Sequence, residues 1–244
     1  MSNYKIATYP QDKYRFELFD NVDRLTWQEI KKRTGCCAII NLWYFALAAQ
    51  PGAGVKYFDH QNGGVMLRGK WVYEKYDFPG ICIDAAGRVS TGWKEDAEWD
   101  YAAAGQAAYL GGRLNNKTAY SRNGVTYTGV KGDGSVVCLL ASRDAGLTGE
   151  EAVAAMLGAG CVDILRWDGS WSSQGSLGPG MDVQPSQKRI CRGWLLVFPR
   201  ETREEPKTLY RVQVGAFSVK ANAERLRDEL KAKGYPGFIQ EVEQ

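Results

Sequence analysis

Residues 3–19 alternate polar and apolar side chains (Tyr4, Ile6, Tyr14, Phe16, Leu18), the period-two pattern of half-buried strands. Over Leu25–Gly35 the pattern becomes helical. Thr26, with Glu29 three positions on, forms a capping box, and Gly35 is placed to end the helix. A continuous apolar run follows, Cys36-Cys37-Ala38-Ile39-Ile40, and stops at Asn41 before an aromatic cluster, Trp43-Tyr44-Phe45. The same order recurs downstream. Thr148 and Glu151 make a second capping box, Gly158 and Gly160 end that helix, and the apolar strand Cys161–Trp167 runs into Asp168. Strands apolar on both faces belong inside a sheet covered by helices. The two units are therefore expected side by side in one sheet, with Asn41 and Asp168 emerging at the same edge.

Between these units the pattern predicts hairpins around Gly69-Lys70, Ala85-Ala86-Gly87 and Lys131-Gly132-Asp133-Gly134. Asp96–Ala108 reads as a short helix or an irregular segment. The loop Gln174–Lys188, rich in Gly, Pro and Ser, is expected to border any cleft, and Arg189–Phe198 to be the last strand of the main domain. The chain is thus predicted to be α+β, with a mixed-sheet domain and packed helices over 1–198. A charged linker holding Pro206 covers 199–207. A small βαβ unit over 208–244 follows, with strands at Tyr210–Gly215 and Phe238–Val242 around a helix striped by Ala223, Leu226 and Leu230. That tail is too short to bury a core of its own and is expected to pair with something.

The candidate chemistry sits in Asp168-Gly169-Ser170-Trp171-Ser172-Ser173, where a strand delivers a carboxylate and three hydroxyls into a loop. Asp-Gly is equally a turn signal. A net charge of +3, with no block of Lys and Arg, argues against nucleic acid and is compatible with a weakly anionic polymer. Eight Trp and thirteen Tyr suit flat sugar-binding platforms as well as a core. The N-terminus lacks the apolar stretch of a signal peptide and no window reaches the length of a membrane span. The chain is expected to be cytoplasmic on synthesis. Six cysteines, five of them in apolar strand contexts and none in a CxxC pair, read as buried free thiols. With His60 the single histidine, a zinc site of the usual spacing is not expected, nor is His60 expected to serve a Ser-His-Asp triad. No cofactor is called for, and a divalent cation is left open.

Two resemblances rest on particular residues. Ile40-Asn41-Leu42-Trp43-Tyr44-Phe45, Arg122, Gly146-Leu147-Thr148, the Asp168–Ser173 loop, Arg189 and Leu195-Leu196-Val197 follow in order the blocks of the phosphodiester glycosidase family, which 4–198 resembles. The family has glycine pairs where this chain has Leu42-Trp43 and Ser170-Trp171. Tyr210-Arg211-Val212-Gln213-Val214-Gly215-Ala216-Phe217-Ser218, Ala223-Glu224-Arg225-Leu226 and Lys233-Gly234-Tyr235-Pro236 are similar to the first half of the SPOR domain, which binds peptidoglycan glycan strands.

The first resemblance implies a glycosidase that holds an anionic phosphate while an anomeric C–O bond breaks. Asp168 becomes its catalytic carboxylate and Arg122 its phosphate clamp, a guanidinium fork matching phosphate oxygens. Asn41 would hydrogen-bond a sugar hydroxyl, orient Asp168, or cap its strand. Ser172, Ser173 and Arg189 would bind substrate, with Trp43 and Trp171 reshaping the pocket in place of glycine. A second carboxylate, if the two-acid scheme holds, would come from Asp182, Asp144 or Asp59, while Asp163 reads as structural. The second resemblance implies that Gln213 contacts glycan and that two half-domains could pair in a homodimer. Together they imply an enzyme of the cell wall, reaching it by release from the cell in a phage or lytic setting. The competing reading is a glycan-binding module whose catalytic loops are filled.

Overall fold

The computed structural model describes residues 4–44, 48–49, 56–57, 64–73, 79–92, 98–115, 121–185, 189–200 and 213–241. In chain order, β1 (Lys5–Tyr9) and β2 (Tyr14–Asp20) lead to α1 (Trp27–Thr34) and β3 (Ala38–Asn41). A two-strand pair, β4 (Ala48–Ala49) with β5 (Lys56–Tyr57), comes next. The middle of the chain supplies β6 (Val65–Leu67), β7 (Lys70–Tyr73), β8 (Gly80–Ile83), β9 (Val89–Thr91), β10 (Tyr101–Ala104), β11 (Gln106–Leu110) and β12 (Arg113–Leu114). Then follow β13 (Val125–Lys131), β14 (Val136–Ala141), α2 (Gly149–Gly158) and β15 (Cys161–Arg166). The body closes with β16 (Gly175–Ser176), β17 (Asp182–Val183) and β18 (Gly193–Pro199), and the tail carries α3 (Lys220–Ala232). Contacts divide the chain into two units, Met1–Glu201 and Thr202–Gln244.

Both helices of the body begin as their sequences dictate. Thr26 and Thr148 each accept from the backbone N–H of the glutamate three residues on, and Glu29 and Glu151 reach back to the cap. Gly35 closes α1 in the left-handed conformation.

The ladders assembled from the described strands are all antiparallel. One sheet has six strands in the order β1-β14-β13-β15-β11-β12, a second has five, β17-β16-β3-β18-β2, and a third has five, β7-β6-β10-β8-β9. The two helix–strand units therefore do not share a sheet as expected: β3 is central in one and β15 in another. Each strand is buried by its own neighbours, and an apolar run alone cannot say which sheet it joins. The Asp96–Ala108 segment also departs from expectation, since its described residues form β10 and the start of β11. Its run of small alanines carries neither period, so burial between partners decides its state: β10 sits between β6 and β8.

A large apolar cluster joins the sheets, with Phe16, Ile40, Leu42, Trp43, Ile83, Leu140, Leu165, Trp167 and Leu195 all buried in it. A second cluster packs α2 on the other face of the six-stranded sheet. Trp43 is 1 % exposed and lies flat on Gly193, where a Cβ would overlap the indole. All six cysteines are free thiols. No helix among the described residues is long and apolar enough to cross a membrane.

In the tail, α3 forms as the apolar stripe predicts, while the described segments 213–219 and 235–241 on either side are not laddered into strands. The ammonium of Lys220 meets the Glu241 carboxylate at 2.9 Å. Phe217 packs on Gly215 and Leu226.

Gly193→Ala is expected to destabilise the protein by about 2–3 kcal/mol in denaturant unfolding, the cost of forcing a methyl into a packed core. Because the clash is with one side chain, combining it with Trp43→Leu should cost less than the two single changes summed. Additive losses would show that Gly193 and Trp43 do not pack as described.

Candidate functional site

β15 ends at Arg166, and the ladder continues one step further as Trp167 N–H donates to Thr126 C=O at 3.0 Å. Trp167 is fully buried, its indole N–H donating to the Thr128 hydroxyl at 2.8 Å. With Trp167 anchored in the core, the alternation of a strand sends Arg166 and Asp168 to the opposite face. There they border a cavity of about 190 Å³. Its wall combines the end of β15, the start of β13 (Val125, Thr126, Tyr127), Tyr44, and Leu147 and Gly149 at the start of α2.

The backbone of Asp168 is clamped by the neighbouring sheet. Its N–H donates to Leu42 C=O at 2.9 Å, and its C=O accepts from Asn41 Nδ2 at 2.8 Å. Asn41 is 1 % exposed and its Oδ1 accepts from the Thr126 hydroxyl at 2.9 Å and from Gln174 N–H at 3.1 Å. The amide is thus engaged at both ends, and of the three expected roles it performs that of orienting Asp168.

The Asp168 side chain accepts from the Ser172 hydroxyl, and Arg189 Nη1 donates to the same Ser172 Oγ at 3.2 Å. Burial pushes the Asp168 carboxyl up to about 6 from an ordinary 3.8. The Ser172 hydrogen bond, the Arg189 charge, the Gly169 N–H and the Arg166 charge pull it back in part. A carboxyl near 6 can hold or release a proton close to neutrality, as general acid–base work requires. Behind it, Gln174 Nε2 donates to Arg189 C=O at 2.8 Å and to the Cys191 thiol at 3.1 Å. Burial pushes the Cys191 thiol well up, so it is a packing group and not a nucleophile.

The loop after Asp168 keeps a glycine-like backbone without glycine: Ser170 has φ 58°. Its N–H donates to Gly124 C=O at 2.8 Å, and the two backbones lie so close that a Cβ at Gly124 would overlap the Ser170 carbonyl. Arg143 secures the strained residue. Its Nη1 donates to Ser170 Oγ at 2.9 Å while its guanidinium stacks 3.8 Å over the Trp171 ring.

Asp168, Asn41, Ser172, Ser173 and Arg189 are brought together, Ser173 Oγ lying 3.3 Å from Thr126 Oγ1. Ser172 and Ser173 are buried and act through the protein's own groups. Neither Trp43 nor Trp171 lines the pocket, so the tryptophans that stand in the family's glycine positions do not narrow it: one fills the core, the other lies beneath Arg143. Arg122 is not drawn to Asp168. Its fork holds Gly146 C=O at 2.8 Å and the carboxylate of Glu151, which also closes the α2 capping box.

Asp144 and Asp182 line a larger open depression of about 420 Å³ with Tyr4, Lys5 and Gln184, away from Asp168. The smaller cavity is the better candidate site, because it holds the buried, shifted carboxyl. Asp163 accepts from Gly111 N–H at 3.1 Å and is structural. Asp59 and His60 lie outside the described residues. Among the described residues no group of three or more His, Cys, Asp or Glu could hold a metal. On the tail, Gln213 is exposed and its Nε2 lies 3.4 Å from Gly215 C=O.

Arg166, Arg143 and Gln174 were missed as site residues by the sequence reading. The signal for Arg166 was present, as a charge two residues before Asp168 in an otherwise apolar strand.

Residues 206–244 match the SPOR domain. No curated protein matches the chain by sequence. Among solved structures, the body shares its fold with the catalytic domain of zebrafish N-acetylglucosamine-1-phosphodiester alpha-N-acetylglucosaminidase, which is auto-inhibited by its pro-peptide. Identity is 12 %, the TM-score 0.60, and the match covers 82 % of this chain and 85 % of that one. A Burkholderia pseudomallei K96243 protein aligns at 12 % identity and TM-score 0.63 over 80 % and 74 % of the two chains. A hypothetical protein from Synechocystis aligns at 11 % and 0.57 over 81 % and 59 %.

Because the folded carboxyl titrates near 6 and the unfolded one near 3.8, the proton on Asp168 favours the fold. That contribution is complete below the unfolded value, falls as pH rises, and is gone above about 6. Asp168→Asn should therefore be more stable than the wild type at about pH 8, by on the order of 2 kcal/mol, with the gain vanishing towards about pH 4. Equal unfolding midpoints at both pH values would mean the carboxyl is not held in a desolvated site.

Proposed function

We propose that the body is a hydrolase of bacterial cell-wall glycan that cleaves a sugar phosphodiester or related glycosidic linkage, with Asp168 as its catalytic carboxylate, and that the tail binds peptidoglycan. The carrying observation is Asp168 itself: a carboxyl raised to about 6, fixed at a strand end beside a cavity with arginines on either side. The shared fold with a phosphodiester glycosidase and the SPOR match support the same reading from opposite ends of the chain.

With Arg189 and Arg166 favouring the anion, Asp168 is largely ionised at neutral pH, the state of a base, nucleophile or cation stabiliser. The anomeric carbon, as the C–O bond lengthens, gains positive charge that this carboxylate faces. Asn41 and Ser172 hold it in place, and Gln213 serves the tail's glycan contact. Binding without turnover is the second reading. It is favoured by one observation: among the described lining residues Asp168 is the single carboxylate.

Incubation with purified walls and with sugar-1-phosphodiester compounds should release product, with kcat/KM rising through about pH 6 to a plateau. Asp168→Asn should cost at least roughly 10²-fold, the low end for acid–base catalysis. Wild type and Asp168→Asn both inactive yet sedimenting with walls would establish the binding module instead. Removal of 202–244 should abolish sedimentation while leaving turnover of the small compounds.

The tail exposes Val214, Phe217, Val219, Tyr235 and Phe238. Such a surface around one helix suits pairing with a second tail. Light scattering on the eluting full-length chain should give a dimer mass, and Phe238→Ser a monomer.

A further inference from the structure

We infer that Arg166 makes the Asp168 pocket selective for a sugar that carries an oxyanion, a phosphate or a carboxylate, next to the bond that reacts. This rests on the hydrolase reading for the word "reacts" but not for the charge preference, which stands on the pocket alone.

Arg166 is an unusual residue for its place. β15 is central in the six-stranded sheet, and Arg166 pairs in register with Tyr127 on β13 and Gln106 on β11. The same face of β15 one step back carries Ile164, fully buried. A guanidinium at such a position loses hydration and is retained only where it has charge to meet. Arg166 and Asp168 are the two charged side chains among the described residues lining the cavity. The rest of the wall is hydroxyl, amide, aromatic and backbone, a surface that orients a small ligand without neutralising it.

Two alternatives for the cation fail on geometry. Arg122 spends its fork on Gly146 and Glu151 and does not line the cavity. Arg143 is committed to Ser170 and Trp171 outside it. Arg189 reaches Asp168 through Ser172, from behind the carboxylate. Arg166 enters on the cavity side, two residues from the acid on the same strand face. The bland reading, in which Arg166 is only a counterion for Asp168, meets the fact that the carboxyl remains raised despite it. At about 190 Å³ the cavity is below the roughly 300 Å³ of drug-sized pockets, and admits one charged group with part of one ring.

The test is calorimetric binding to the full-length chain at low salt, independent of turnover. The probes are N-acetylglucosamine 1-phosphate, N-acetylmuramic acid, neutral N-acetylglucosamine and inorganic phosphate. At least one charged sugar should bind roughly 10-fold or more tighter than the neutral one, and the first two probes tell phosphate from carboxylate. Arg166→Gln should remove that preference, Arg166→Lys should keep part of it, and Arg122→Gln should leave it unchanged. Asp168→Asn, which removes a like charge, should tighten the anion rather than weaken it. Equal binding of charged and neutral sugars, no binding of any anion, or loss of the preference in Arg122→Gln instead, would overturn the assignment. Should Arg166→Gln not fold, Arg166→Lys and the Asp168→Asn gain decide it. Charge preference without wall turnover would sink the hydrolase reading alone; turnover without charge preference would sink this one alone.

Discussion

The structure depends on a single buried amide. Asn41 ends β3 in one sheet, and its side chain holds the Asp168 carbonyl, the Thr126 hydroxyl and the Gln174 N–H, which belong to the end of β15, to β13 and to the strand-like entry into β16. No strand ladder joins these two sheets, so this amide and the Leu42 bond to Asp168 N–H fix the one against the other at the site. A buried network in which each member is satisfied specifies one geometry, and losing its centre would orphan several groups at about 1–3 kcal/mol each. The apolar contacts around it, Leu42, Trp43 and Trp167, supply adhesion but would tolerate sliding; the amide does not.

Around that fixed point the local choices run against stability. Asp168 is ionised in a place that disfavours the ion, and Ser170 takes a backbone conformation that glycine adopts more readily. Both are held by neighbours that have no other evident purpose: Ser172 and Arg189 on the carboxylate, Arg143 and Gly124 on the loop. Strain and desolvation in one short loop, compensated by well-packed surroundings, are what a functional site costs a fold. The glycine loops of the resembling family reach the same backbone path by permissiveness; here a serine and an arginine reach it by hydrogen bonding.

The elements were more legible than their assembly. Both capping boxes, α1, α2, β3, β15 and the hairpin strands follow from local chemistry, since caps, turn glycines and apolar periods act within a few residues. Which sheet each strand joins was not legible, because an apolar strand such as Ala38–Asn41 or Cys161–Arg166 is complementary to any buried neighbour. The alanine-rich Tyr101–Leu110 failed for a related reason: small side chains carry almost no period. Asp168 and Asn41 were legible as site residues because a polar group ending a buried strand needs a reason. Arg122 was read from order in the chain, and order does not show that a guanidinium is already engaged, here by Glu151. Arg166 was hidden in plain view, judged with the apolar run it interrupts and not by the face it shares with Asp168.

A small pocket with two charged groups cannot by itself hold a polymer tightly. Few contacts are available in about 190 Å³, and each charged contact first gives up hydration. For an insoluble wall this is a tolerable weakness if a second module keeps the enzyme on its substrate, since tethering converts encounter into a local event at high effective concentration. The charged, proline-containing stretch before the tail has the composition of such a tether. On the proposed reading the division follows from physics: the tail supplies residence on the glycan, leaving the Asp168 pocket to spend its few interactions on recognising charge and on the bond that breaks.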